Sequence, residues 1–288
     1  MENHDDRYLW DSDKEAPFPE ITIVQAFLGL LKCVFFLPFT LFLIPVFLVC
    51  KFLYKNTGVK LPMLTIRKSW SLVALRLCGL HLHVKGSLSP KAGFLVCNHV
   101  SWLDILVIQS VVDVIFIAKY EVNTWPGLGF LARLADTLFV ERKAQKIGYY
   151  SAEANKIMST GDVICFFPEG TSSDGLRVLK FRSGFFEIAY SDASGDNRPS
   201  VFIQPLSLFY LPHRIDENSD FYGWWGNMSL FVNLIKVLCL SSGSVTLKFH
   251  DLLKSTKFQD RKHLAAKVER IIGDEIGKNI EKNSIKVD

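Results

Sequence analysis

No two cysteines of this 288-residue chain stand at metal-binding or redox spacing. The six (Cys33, Cys50, Cys78, Cys97, Cys165 and Cys239) are scattered and mostly flanked by apolar residues. That distribution excludes a zinc ribbon or a Cys-x-x-Cys oxidoreductase, and neither a metal nor an organic cofactor is expected. The thiols read as free, in a reducing compartment. A dense Lys/Arg run is also missing, and a net charge of +4 is too small for a nucleic-acid surface, so no nucleic-acid partner is expected. The weak positive balance does suit an anionic membrane surface or a phosphate-bearing substrate. There is no Gly-x-Ser-x-Gly elbow, which counts against a hydrolase working through an acyl-serine. Residues 1–20 are acid-rich, without a basic leader region, and read as a loose polar tail.

What the chain does have is apolar surface. Nearly half of it (49%) is hydrophobic, with 23 Phe. Between Ile21 and Tyr54 the only charges are Lys32 and Lys51, and Cys33 to Cys50 is an uncharged run of 18 residues. That length reaches the lower limit for a membrane span. Pro38 and Pro45 leave two forms open, a span or a re-entrant hairpin broken at the prolines; a core helix of a soluble domain is the plainer alternative. Residues 21–60 are therefore expected to be a membrane anchor and 61–288 the functional domain. Lys51, Lys55, Lys60, Arg67 and Lys68 follow the apolar run, against Arg7 and Lys14 before it. The positive-inside rule puts the domain on the cytoplasmic face, which is the inner membrane if the source is bacterial.

Residues 66–80 have helical apolar spacing (Ile66, Trp70, Val73, Leu77, Leu80) with cations elsewhere. From residue 82 the pattern becomes strand–helix alternation. Strands are predicted at 82–85, 93–97, 114–118, 137–141, 163–167, 201–206 and 245–250, and helices at 102–112, 127–135, 143–159, 183–191 and 260–282. Buried apolar strands between helices predict an α/β fold, a layered mostly parallel or mixed sheet flanked by helices.

The most informative stretch is Asn98-His99-Val100-Ser101-Trp102-Leu103-Asp104, a strand end, a corner and a helix start. An imidazole there takes up a proton near neutral pH, and a carboxylate five positions on can fold back and fix its tautomer. Ser101-x-x-Asp104 is also a capping-box spacing, under which Asp104 would be structural. A second stretch, Phe167-Pro168-Glu169-Gly170-Thr171, makes a sharp turn after a strand, where open sheets place ligands; it would aim Glu169 into the crevice, or it is an ordinary Pro/Gly turn. Lys119 follows a third strand, and Lys180 and Arg182 precede a helix, as in a phosphate cradle.

In order, Asn-His-x-Ser-Trp-x-Asp, Ala118-Lys119-x-Glu121 with Pro126-x-x-Gly129, Phe139-Val140-x-Arg142, Phe-Pro-Glu-Gly-Thr and x-Pro205-Leu206 resemble the glycerolipid acyltransferase family over residues 80–210. Its best-known members are the 1-acylglycerol-3-phosphate acyltransferases. The resemblance implies that His99 is the catalytic base and Asp104 its partner. It further implies that Arg142, Glu169, Gly170 and Thr171 help bind the acceptor, with Asn98, Ser101, Lys119, Lys180 and Arg182 as further candidates. The donor would be an acyl thioester (acyl-CoA or acyl carrier protein), and the acceptor a lyso-lipid, first of all 1-acylglycerol-3-phosphate. The chain departs from the family pattern at Gln204-Pro205-Leu206 and at Ala135-Asp136-Thr137, where many members have Gly. Gly223-Trp224-Trp225-Gly226-Asn227-Met228 resembles a stretch of bacterial members, some of which acylate lyso-ornithine lipid, which makes that lipid the alternative acceptor. A non-catalytic membrane scaffold is the alternative of another class.

Overall fold

The computed structural model describes residues 19–141, 147–189, 201–213, 220–226, 228–240 and 242–284. Helix α1 (Ile23–Thr57) is one continuous helix of 35 residues, with Pro38 and Pro45 inside it, so a hairpin broken at the prolines is not what forms. Thr22 opens α1 with a capping box closed by Gln25, and Gly58 closes it at φ 73°, a conformation that suits glycine. Helix α2 (Leu61–Leu77) starts earlier than the periodicity predicts, because Pro62 fits a first helical turn. It stops short of Leu80, which already belongs to strand β1 (Leu80–Lys85).

The chain then winds through β2 (Phe94–Cys97), α3 (Leu103–Val111), β3 (Ile115–Lys119), α4 (Leu128–Leu134), β4 (Leu138–Val140), α5 (Ile147–Ser159) and β5 (Ile164–Phe166). It continues with β6 (Phe202–Pro212), α6 (Leu230–Leu240), β7 (Gly243–Phe249), β8 (Leu253–Lys254) and α7 (Arg261–Ser284). The sheet runs β1-β7-β6-β2-β5-β3-β4, with β8 pairing β6 off that path. Neighbours from β6 through β2, β5 and β3 to β4 are parallel, while β7 and β8 are antiparallel to β6. This is the mixed α/β sheet expected.

Four further details differ from the sequence reading. Strand β6 runs on to Pro212, because the continuous buried run carries on through Leu208, Phe209 and Tyr210. The helix expected at 183–191 is a 3₁₀ turn over Ser183–Ala189. Helix α6 and strand β8 were not foreseen.

Strand β2 lies in the middle and is buried on both faces, which explains its unbroken apolar run. Leu95 and Cys97 point to the layer of α2, α3 and α6. Phe94 and Val96 point to the layer of α5 and α7, where Leu264, Val268, Ile272 and Ile276 form one helical stripe. Because β2 and β5 are parallel, with Val96 opposite Phe166, the segments that leave them meet at one edge of the sheet. Those segments are 98–104 and 167–173.

Candidate active site

Asp104 is fully buried in the first turn of α3. Its Oδ2 accepts from the backbone amides of Val100 (2.7 Å) and Ser101 (3.0 Å) and lies 2.7 Å from Nδ1 of His99. Its Oδ1 accepts from the hydroxyl of Tyr210 on β6 at 2.7 Å. The carboxylate therefore does both jobs raised by its spacing. It closes the helix start through Ser101 N–H, and it holds the imidazole. Ser101 Oγ adds only a long bond to the helix start, accepting from Leu103 N at 3.5 Å. With Nδ1 committed to Asp104, Nε2 of His99 is the ring nitrogen left for chemistry. The ring stacks on Phe167 with centroids 4.2 Å apart.

The backbone of His99 is gripped from the other strand end. Glu169 Oε1 accepts from His99 N (2.7 Å), its Oε2 accepts from Leu179 N (2.9 Å), and Ser173 N and Oγ both donate to His99 O (2.9 and 3.0 Å). Glu169 is 2% exposed, so it does not aim into the crevice. Its oxygens are taken by backbone amides, and burial lifts its carboxyl well above the usual range. Asn98 is likewise buried, exchanging two hydrogen bonds with the Leu208 backbone (2.8 and 2.9 Å). Asn98, Ser101 and Glu169 thus brace the corner from behind. Gly170, at φ 71°, makes the turn that carries Thr171 to the front.

In front of His99 lies an apolar groove of about 1530 Å³, bounded by α1, α2, α3, α4 and α6. Lys119, Gly170 and Thr171 line it, as do Trp224, Trp225 and Met228. Lys180 and Arg182 are exposed and outside its lining; no helix proper follows them, so the helix-terminus argument for a phosphate cradle lapses. Arg142 lies outside the described residues. The residue that sequence reasoning missed is Tyr210, 106 positions from Asp104; no local pattern could have joined the two. Cys97 is fully buried and its thiol is raised well above the ordinary value by burial, so it is an inert neighbour rather than a nucleophile.

A carboxylate-held imidazole thus stands at one end of the parallel strands and faces a long apolar groove, a base beside a surface that fits a lipid chain. The chain belongs to the acyltransferase family, whose model matches residues 81–208. It is 34% identical over 245 residues to the lyso-ornithine lipid O-acyltransferase of Rhizobium meliloti, covering 83% of this chain and 81% of that protein. It is 36% identical over 101 residues to the 1-acyl-sn-glycerol-3-phosphate acyltransferase of Neisseria gonorrhoeae, covering 35% of this chain and 40% of that protein. It shares its fold with the crystal structure of the 1-acyl-sn-glycerophosphate (LPA) acyltransferase PlsC from Thermotoga maritima, at a TM-score of 0.66 and 20% identity, covering 88% of this chain and 97% of that one.

Proposed function

We propose that this acyltransferase moves an acyl chain from a thioester, acyl-CoA or acyl carrier protein, to the hydroxyl of a lyso-lipid. The observation that carries this reading is the 2.7 Å His99–Asp104 pair at the wall of the apolar groove. In the reaction Nε2 of His99 takes the acceptor proton as the oxygen attacks the thioester carbonyl. The C–S bond breaks, and the proton passes on to the leaving thiolate. A thioester is already activated, so a base suffices and no covalent nucleophile is needed. Asp104 fixes the tautomer and favours the imidazolium that forms. Lys119, Gly170 and Thr171 are the groove residues we assign to acceptor binding, with Arg142 as the family pattern implies.

For the acceptor, the similarity to the lyso-ornithine lipid enzyme spans 83% of the chain, and the Trp224-Trp225 stretch lines the groove. Both favour the ornithine lipid. The second reading, 1-acylglycerol-3-phosphate to phosphatidic acid, draws on the shorter match to the Neisseria enzyme. Purified protein given one acyl thioester and each lyso-lipid in turn separates them. Turnover of lyso-ornithine lipid well above that of lysophosphatidate is expected. The reverse preference, with inhibition by millimolar glycerol 3-phosphate, selects phosphatidic acid synthesis.

We read residues 21–60 as the membrane anchor and 61–288 as the catalytic domain. Helix α1 is apolar (mean hydropathy 2.6 in its best window), with 6% of that window buried. It is fastened to the domain at Lys32, whose Nζ donates to Leu238 O (2.7 Å), and at Lys51, whose Nζ donates to Leu134 O (3.0 Å). These ties are about 28 Å apart along the helix. A helix held flat along a folded domain suits the bilayer interface better than an upright span. Lys51, Lys60 and Arg67 pair with aspartates, which weakens the positive-inside argument. The cytoplasmic face then rests on the free thiols and on the thioester donor.

A further inference from the structure

Helix α6 has its polarity reversed for a helix on a water-facing surface. Its buried positions are Asn233, Lys236, Val237 and Leu240, one face at helical spacing. Its outward side carries no charge. Phe231 is 68% exposed and Val232 37%, with Ile235, Leu238 and Cys239 half-buried beside them. Surface helices of soluble proteins run the other way, polar outward. The one charge of α6, Lys236, is turned inward with its ammonium 5.0 Å from the Phe221 ring centroid.

This outward face continues that of α1. Gly29 lets the two helices approach so closely that a Cβ there would stand 2.5 Å from Cys239 Sγ. The ammonium at the seam, Lys32, is turned onto Leu238 O. Beyond the seam α1 presents Leu31, Phe35 and Phe42, at 46%, 61% and 69% exposure.

We propose that α6 is a second lipid-contacting helix, lying beside α1 in the acyl boundary of one leaflet, with bilayer lipid covering both faces. The inference rests on the membrane reading of α1. It adds a connection to the chemistry. Asn233, buried in α6, accepts from Trp102 Nε1 (2.9 Å) and donates to Gly223 O (3.0 Å), while Trp224 N donates to Val100 O (2.9 Å). The lipid-facing helix is thereby bracketed to the corner that carries His99. Leu234 and Leu238 of α6 and Phe36 and Leu37 of α1 line the same groove. Both lipid-facing helices thus wall the groove, a route by which a lyso-lipid would reach His99 from the leaflet.

The test uses the full chain with Cys33, Cys50 and Cys239 replaced by Ser, because these thiols are exposed or partly so. Single cysteines replace Phe35, Phe231 or Lys267 (on α7, in the opposite layer) and carry an environment-sensitive fluorophore. Vesicles of phosphatidylcholine and phosphatidylglycerol contain a lipid with a nitroxide on its acyl chain. Labels at 35 and 231 are expected to shift to the blue and lose their fluorescence to the quencher, while the label at 267 does neither. Val232→Cys repeats the α6 reading at a second site. Quenching at 35 without quenching at 231 or 232 overturns the proposal and leaves α1 as the anchor. Quenching at none of them overturns the membrane reading as well. Shielding of 231 that grows with protein concentration in the absence of vesicles assigns the face to a second copy of the chain, and also overturns the proposal.

Discussion

In the proposed mechanism His99 serves as a base only while Asp104 holds it, and Asp104 accepts in turn from Tyr210. Tyr210→Phe keeps the ring packed against Tyr222 but leaves a buried carboxylate oxygen without its donor. A stability loss of about 1–3 kcal/mol is expected from such an orphaned acceptor, read by thermal unfolding, together with a lowered turnover. An unchanged melting temperature would mean that the 2.7 Å contact carries no weight. Glu169 supplies a second expectation at this scale. Burial raises its folded pKa, so its contribution to stability is full below the unfolded value of about 4.3. It is lost as pH rises from there through the raised folded value. Glu169→Gln cannot ionise, so the variant should lose less stability over that interval than the wild type. Gln also turns an amide donor toward either His99 N–H or Leu179 N–H, so it should be the less stable protein at pH 4. Urea unfolding at a series of pH values measures both effects, and parallel curves for the two proteins would contradict the assignment.

Elements show what the sequence could and could not disclose. The central strands were legible because a strand buried on both faces is an unbroken apolar run, and β2 and β5 end at the two motif blocks. Helix α6 was not legible, since its apolar residues read like core and its two polar ones point inward. The prolines of α1 suggested a break that the helix does not make. Nor did sequence order reveal that Glu169 faces backbone, because a turn motif does not fix which side its carboxylate takes. One departure from the family pattern does gain a physical meaning. Asp136, in the stretch Ala135-Asp136-Thr137, is the one non-glycine among the described residues with positive φ, at 60°. That conformation costs an L-residue about 1–2 kcal/mol. Its carboxylate bonds Lys51 of α1 (2.5 Å) and the 8%-exposed Arg67 of α2 (3.1 Å). Asp136→Ala removes these bonds and keeps the strain, whereas Asp136→Gly removes both. The Ala variant should therefore be the less stable of the two by about 1 kcal/mol in denaturant titration. Equal stability would show that the backbone there is not strained.

At the scale of the whole molecule, α1, the proposed anchor, is also a wall of the groove, since Phe36, Ile44 and Phe47 line it. Salt screens charge but not hydrocarbon burial, so a high-salt wash should leave the protein with the membrane fraction; release into the wash would rule out an apolar anchor. Removing residues 1–60 should release much of the protein and also open the groove on one side. The truncated chain is then expected to transfer acyl groups poorly even to a short-chain acceptor dissolved in water, and full activity there would show that α1 only anchors.

The central claim is acyl transfer to a lyso-lipid hydroxyl by a single base, without a covalent enzyme intermediate. Its most direct test is the transfer rate of purified wild type against His99→Ala, with one acyl thioester and the preferred lyso-lipid, both proteins first shown to unfold at the same temperature. A fall of roughly 10²–10⁴-fold is expected, the usual worth of general acid–base catalysis, with no acyl group found on the protein. Near-normal transfer by His99→Ala, or a trapped acyl-enzyme in the wild type, would contradict it.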